Sequence, residues 1–289
     1  MTFSKGAAEA QIAKARAFVE LHRGGCFVLP NAWDMASALL CQEAGFEAVA
    51  TTSVGVAFAR GVPDGERLGR DAMLTAAGEI AAGVSLPVSG DLEAGYGTDP
   101  NAVTGTVRAA IAAGLVGCNI EDSDPASGEL MDVALAADRI RAATEAAAAA
   151  GLEDFVVNAR VDCYLRGLPA DAAFPQAVDR ANRYLAAGAT CAFVPGPSDA
   201  PTAANLVKAI DGPLNVMAGG LSPTAPLADL AAAGVRRISL GGSLMAAAYG
   251  HALDALRAIR DRGDFRYTAE AGPAFRALAR LIAGRAREG

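Results

Sequence analysis

AAGLVGCNIED, residues 112–122, carries three signals in one short run. Alanines that close a helix are followed by Gly114, the residue type that takes the left-handed cap position. The apolar residues after it read as a short buried strand. The strand then ends on two acids, Glu121 and Asp122. The same unit recurs in EAGFEAV (43–49), AAGATCAF (186–193) and AAGVRRI (232–238). Working outward, strand-like runs fall at 26–32, 47–53, 86–92, 117–122, 155–161, 191–195, 213–219 and 236–242, each followed by a stretch of helical character. Alternation of this kind indicates parallel strands joined by helices. Eight units in about 250 residues predict an α/β fold, the (β/α)8 TIM barrel. LPNAWD after the first strand lacks the glycine pattern of a dinucleotide-binding turn. One barrel domain over 1–289 is expected, with an N-terminal helix over about 7–23 and a C-terminal helical arm over 268–289. Phe275, Leu278, Leu281 and Ile282 make that arm apolar on one side, so it needs a partner, either its own barrel or a neighbouring subunit.

The 289 residues are 52% hydrophobic and 20% charged, with a net charge of -7. There is no basic block, which argues against nucleic acid or an anionic membrane as partner. No apolar stretch approaches the roughly 18 residues of a membrane span, and the N-terminus has no signal-peptide core. The expected location is cytoplasmic. The five cysteines are odd in number and form no C-x-x-C, so neither a disulfide framework nor a zinc site is indicated. Cys26, Cys118 and Cys191 fall in strand-like runs and read as small buried hydrophobes. The two histidines, His22 and His251, fall in helix-like segments, and none of the three lysines sits at a strand end. A Schiff-base lysine and a Ser-His-Asp triad are therefore both disfavoured.

A barrel of this type carries its chemistry at the C-terminal ends of its strands. Strand three ends in Asp91-Leu92-Glu93, strand four in Asn119-Ile120-Glu121 and strand five in Asn158-Ala159-Arg160. Residues two apart on a strand share a face, so Asp91 and Glu93 are expected to point together, with Glu121 beside them. Crowded carboxylates repel, and a divalent cation would relieve them. Oxygen donors without His or Cys suit Mg²⁺ or Mn²⁺ rather than zinc. Arg160 suits a substrate carboxylate or phosphate, or else an ion pair with Glu121 or Asp91. Ser53 and the amides after it could hold an anion. Gly95 and Gly97 would let the backbone approach a ligand closely. The long loop after strand two carries Asp64, which could reach the site.

Taken in order, LPNAWDMASALL, TTSVGVAFARGVPDG, DLEAGYG, NIED and NARVD resemble the isocitrate lyase/phosphoenolpyruvate mutase superfamily. The resemblance implies a Mg²⁺-dependent barrel, usually a homotetramer built as a dimer of dimers that exchange a C-terminal helix. It implies chemistry through a metal-bound enolate of a 2-oxo acid. Carried over by position, Asp91, Glu93 and Glu121 match the metal-site acids. Thr52, Ser53 and Val54 match the anion-binding turn, with Gly95 and Asn119 also on the substrate side. Arg160, Asp64 and Glu121 match the catalytic positions. Three departures stand out. Glu93 replaces a common Asp. The segment DSDPASGELMD after Glu121 lacks the lyases' K-[KR]-C-G-H motif and is shorter than their gating loop. Strand six ends in Val194-Pro195-Gly196 rather than the glutamate of methylisocitrate lyases. An isocitrate or methylisocitrate lyase is thereby disfavoured. The leading expectation is a carbon–carbon lyase or decarboxylase acting on a small 2-oxo carboxylate such as oxaloacetate. The alternatives are a phosphoenolpyruvate mutase or phosphonopyruvate hydrolase, and a barrel that binds a 2-oxo acid without turning it over.

Overall fold

Pro30 decides how the barrel closes. In the computed structural model, which describes residues 5–219 and 223–285, the first strand-like run is two segments, β1 (Phe27–Leu29) and β2 (Asn31–Ala32). Pro30 between them has no N–H to give a ladder, although its carbonyl still accepts from the Ala50 amide at 2.8 Å. β1 pairs with the last strand and β2 with the next one, so the two halves of one stretch hold opposite edges of the sheet together. The other strands are β3 (Val49–Thr51), β4 (Val88–Asp91), β5 (Gly117–Glu121), β6 (Val156–Arg160), β7 (Cys191–Phe193), β8 (Leu214–Met217) and β9 (Arg237–Ser239). All pairings are parallel, in the order β1-β9-β8-β7-β6-β5-β4-β3-β2. Each expected strand is present, and among the described residues the count rises from eight to nine through the proline break.

The helices are α1 (Lys5–Arg23), α2 (Met35–Glu43), α3 (Ser53–Phe58), α4 (Arg70–Gly83), α5 (Pro100–Ala112), α6 (Val133–Ala149), α7 (Ala170–Ala186), α8 (Ala200–Ala209), α9 (Leu227–Ala232), α10 (Ser243–Arg262) and α11 (Thr268–Arg285). Several start on an aspartate whose side chain accepts from the first-turn amides: Asp34, Asp99, Asp132 and Asp199. The helix-to-strand joints follow the motif read above, and Gly114 takes φ 92°, where a side chain would be strained. Alanine faces let the helices lie close to the sheet and to one another. Ala110, Ala143, Ala146 and Ala147 are all buried.

α1 closes the N-terminal end of the barrel. Gln11 Nε2 donates to the Ile111 and Leu115 carbonyls at 2.9 Å each, and Lys14 Nζ to the Val84 carbonyl at 2.9 Å. The Phe18 ring lies where a Cβ on Gly117 would come within 2.9 Å of it. The C-terminal ends of the strands lie at the opposite end of the barrel. α11 lies on α2, joined by the Arg280–Glu43 ion pair and by Leu281 against the core. Phe275 and Ile282 on the same helix stay exposed, so the stripe is divided between the barrel and solvent. The last four residues of the 268–289 arm lie outside the described residues. Among the described residues, no helix is long and apolar enough to cross a membrane.

Candidate active site

The acids expected at the strand ends gather at the C-terminal mouth, in an arrangement that differs from strand alternation. β4 ends at Asp91. Asp91 points inward, where Oδ2 accepts from the Ser53 amide at 2.9 Å and Oδ1 is reached by Asn119 Nδ2 at a long 3.4 Å. Glu93 does not continue the strand. Its φ is 51°, so it sits in a left-handed turn and alternation no longer governs its side chain. Strand alternation therefore does not set the Glu93 side chain, yet the turn still leaves it close enough to Asp91 for that carboxylate to raise its pKa. Glu93 Oε2 accepts from the Glu66 amide, and Oε1 from the Tyr96 hydroxyl at 3.1 Å. Tyr96, at φ 60°, gives its own amide to Glu66 Oε1 at 2.7 Å. The long loop after α3 is thus tied into the site by Glu66, a residue the sequence offered only as one charge among several.

Arg160 faces Glu121 across register partners of β5 and β6, with Nη1 to Oε2 at 2.6 Å. Nε and Nη2 of Arg160 hold Asp162 at 2.6 and 3.1 Å. The ion-pair alternative for Arg160 is therefore present, with Glu121 and Asp162 as partners. One N–H remains on each of Nη1 and Nη2 for a ligand. Burial pushes Glu93 up to about 7, helped by Asp91 and Asp64, although the Glu66 amide works against it. Glu121 is raised well above the usual range by burial, and by Asp162, Asp91 and Glu93, with Arg160 opposing. Asp64, beside the Ser53 hydroxyl at the rim, is also raised, first by desolvation and then by Asp91. These shifts describe negative charge crowded into one place. Thr52, Ser53 and Val54 stand at the start of α3 rather than in an open turn. Gly95, at φ 87°, leaves no room for a side chain, since a Cβ there would come within 3.0 Å of Val103 and 3.5 Å of Ile120. Gly97, at φ 147°, likewise sits against Ala102.

Behind this layer, arginines that were not expected hold the loops in place. Arg139 of α6, almost fully buried, donates to the Ala94, Gly97 and Glu121 carbonyls and so clamps the β4 turn to the end of β5. Arg180 of α7 reaches Asp122 Oδ2 at 3.1 Å and the Met131 carbonyl at 2.9 Å. Tyr184 OH also gives to Asp122 Oδ2, at 2.8 Å. Ser123 gives its hydroxyl to Asp162 at 2.8 Å and takes one N–H from Arg166 at 2.9 Å. The short segment after Glu121 is folded on itself by an antiparallel bridge, Ser123 to Leu130. No local pattern marks Arg139 or Arg180, since each looks like an ordinary surface residue of an alanine-rich helix. Trp33 packs edge-on to Tyr249. Cys118 and Cys191 are buried and Cys26 half-buried. Among the described residues, no three His, Cys, Asp or Glu side chains converge into a ready-made metal cage.

The family described as phosphoenolpyruvate phosphomutase matches residues 18–260. An uncharacterized protein of Mycobacterium tuberculosis (strain ATCC 25618 / H37Rv) is 39% identical over 240 residues, 83% of this chain and 87% of that protein. A Burkholderia cenocepacia J2315 structure, provisionally assigned as a lyase/mutase, superposes with a TM-score of 0.89 at 40% identity, over 95% of this chain and 98% of its own. Oxaloacetate acetylhydrolase in complex with its product oxalate superposes with a TM-score of 0.83 at 25% identity, over 96% of this chain and 98% of its own.

Proposed function

The chain belongs to the isocitrate lyase/phosphoenolpyruvate mutase superfamily of lyases and mutases, and on that premise we propose that it is a Mg²⁺-dependent enzyme that cleaves the C3 bond of a small 2-oxo carboxylate of the oxaloacetate type. The observation that carries this reading is the crowding of Asp64, Asp91, Glu93 and Glu121 at the barrel mouth, with the Arg160 guanidinium paired to Glu121. The likeness to oxaloacetate acetylhydrolase over nearly the whole chain supports the substrate class.

The donor set fits magnesium. Both oxygens of Glu93 are engaged by hydrogen bonds, and one oxygen of Glu121 by Arg160. Asp91 Oδ1 has just the long Asn119 contact. Magnesium keeps several waters and is commonly bound through one or two carboxylates. Asp91 would hold it, with Glu93 and Glu121 through water. When bound, it would supply positive charge to an enolate oxygen.

The chain's own groups do the rest. The free N–H groups of Arg160 grip the substrate carboxylate. Thr52, Ser53 and Val54 line the side of the mouth next to Asp91, and the Ser53 amide keeps that carboxylate in place. The Tyr96 proton is committed to Glu93. Asp64, at the rim and with its pKa raised by desolvation, is the acid placed to deliver a proton to C3 once its bond has broken. The exposed Tyr249, Leu253 and Leu256 of α10, with Phe275 and Ile282 of α11, support assembly with further copies of the chain.

The test is a product assay with oxaloacetate, methylisocitrate, isocitrate and phosphonopyruvate, with and without Mg²⁺. Metal-dependent pyruvate or oxalate from oxaloacetate is the expected result. No turnover of oxaloacetate, or turnover indifferent to a chelator, overturns the proposal. Phosphate from phosphonopyruvate would favour the second reading, phosphorus–carbon chemistry, to which the description of the matching family points.

A further inference from the structure

Below the mouth, side chains from neighbouring strands are joined in line across the barrel interior. Asp91 of β4, Asn119 of β5 and Asn158 of β6 are register partners. Asn158 Nδ2 donates to Asn119 Oδ1 at 2.6 Å, and Asn119 Nδ2 faces Asp91 Oδ1 at 3.4 Å. All are buried, and Asn158 is 0% exposed. The chemistry of the groups fixes the direction of this line. An ionised carboxylate only accepts, so Asn119 must turn its NH₂ toward Asp91. The Asn119 oxygen then faces β6, so Asn158 must turn its own NH₂ toward Asn119. Asn158 Oδ1 is left on the far side, and among the described residues it has no hydrogen-bond partner. A buried acceptor without a partner is costly. Its orientation therefore serves the neighbours rather than Asn158 itself.

We propose that Asn158 is a positioning residue for Asp91: it holds the Asn119 amide in the one orientation that offers N–H to the carboxylate, and so keeps Oδ1 of Asp91 aimed at the mouth. The inference rests on the reading of Asp91 as the carboxylate that holds the metal. Without Asn158, nothing else in the described structure engages Asn119 Oδ1, and only the long 3.4 Å contact to Asp91 would hold the amide. The Asn119 side chain would then be free to rotate, and Asp91 Oδ1 would lose the fixed N–H that aims it. Outer-shell partners of this kind are typically worth about 10- to 100-fold in metal affinity.

The experiment measures Mn²⁺ binding to the whole chain by electron paramagnetic resonance, with no substrate present. The proteins are the wild type, Asn158→Leu, Asn158→Ser, Asn119→Ala, the Asn119→Ala/Asn158→Leu double variant and Asp91→Asn. Thermal unfolding is followed in parallel, and Asn158→Ser serves where the leucine variant does not fold. Asn158→Leu is expected to raise the Mn²⁺ Kd about 10- to 100-fold. That loss is expected to vanish in the Asn119→Ala background, because the effect passes through Asn119. A lowered unfolding temperature with Mn²⁺ affinity within about twofold of wild type would mark Asn158 as merely structural and overturn the proposal. So would a loss of the same size with and without Asn119. Asp91→Asn separates the two levels. If it leaves Mn²⁺ binding intact, the metal-site reading fails and takes this inference with it. If it abolishes binding while the Asn158 variants bind normally, only the positioning role fails.

Discussion

His22 sits in the helix that closes the bottom of the barrel, and it makes the fold acid-sensitive in a calculable way. The ring is 2% exposed and lies edge-on to Phe18 and Phe27, with centroids 4.9 and 5.0 Å away. Nδ1–H donates to the Phe18 carbonyl at 2.8 Å, and among the described residues Nε2 has no hydrogen-bond partner. Burial, with Arg237 and Arg236 nearby, pushes its pKa down to about 3. The unfolded chain takes up a proton near pH 6.5, whereas the folded ring does not. Below that pH the unfolded state binds more protons, so stability falls as pH falls, by about 1.4 kcal/mol per pH unit. The contribution is intact above about pH 6.5 and is lost progressively down to the folded pKa. Between about pH 7.5 and about pH 5 the expected loss is about 2 kcal/mol, a figure set almost wholly by the unfolded pKa. The assay is urea unfolding of the wild type and His22→Phe at both pH values. Other titrating groups act on both proteins, so the difference between them isolates the ring. Their stability difference should shift by about 2 kcal/mol against the wild type on acidification. Parallel pH profiles would refute the reasoning, as would a His22 ring resonance that titrates near pH 6.5 in the folded protein.

Two further outcomes are expected. Arg237 is 0% exposed, and among the described residues neither Nη1 nor Nη2 has a hydrogen-bond partner, while burial pushes its pKa down to about 10. It stays charged at neutral pH, so Arg237→Met should stabilise the fold, by up to about 3 kcal/mol in urea unfolding. Asp122→Ala should do the opposite, because it strands Arg180 and Tyr184 beneath the segment after Glu121. A loss of about 3–5 kcal/mol is expected, with faster proteolytic cleavage between Ser123 and Leu130.

The barrel was legible along the chain because its punctuation is local. A helix end, a capping glycine and an apolar run fit within a few residues, as at 112–122, and repetition of that unit implies parallel strands. The placement of Asp91, Glu121 and Arg160 at one mouth followed from the same periodicity, since all parallel strands end on the same side. The partners of those residues were not legible. Whether Arg160 faces Asp91 or Glu121 depends on the register between β5 and β6, which no local signal encodes. Glu93 left the strand face because the chain turns left-handed there, a choice made jointly with Tyr96 of the same turn and Glu66 from another loop. Arg139 and Arg180 became buried clamps only once α6 and α7 packed over the β4 turn and the end of β5. Propensity and period act over one or two turns of chain. Pairing of buried charges acts between segments far apart in sequence, and the closed barrel is what brings them within a few ångströms.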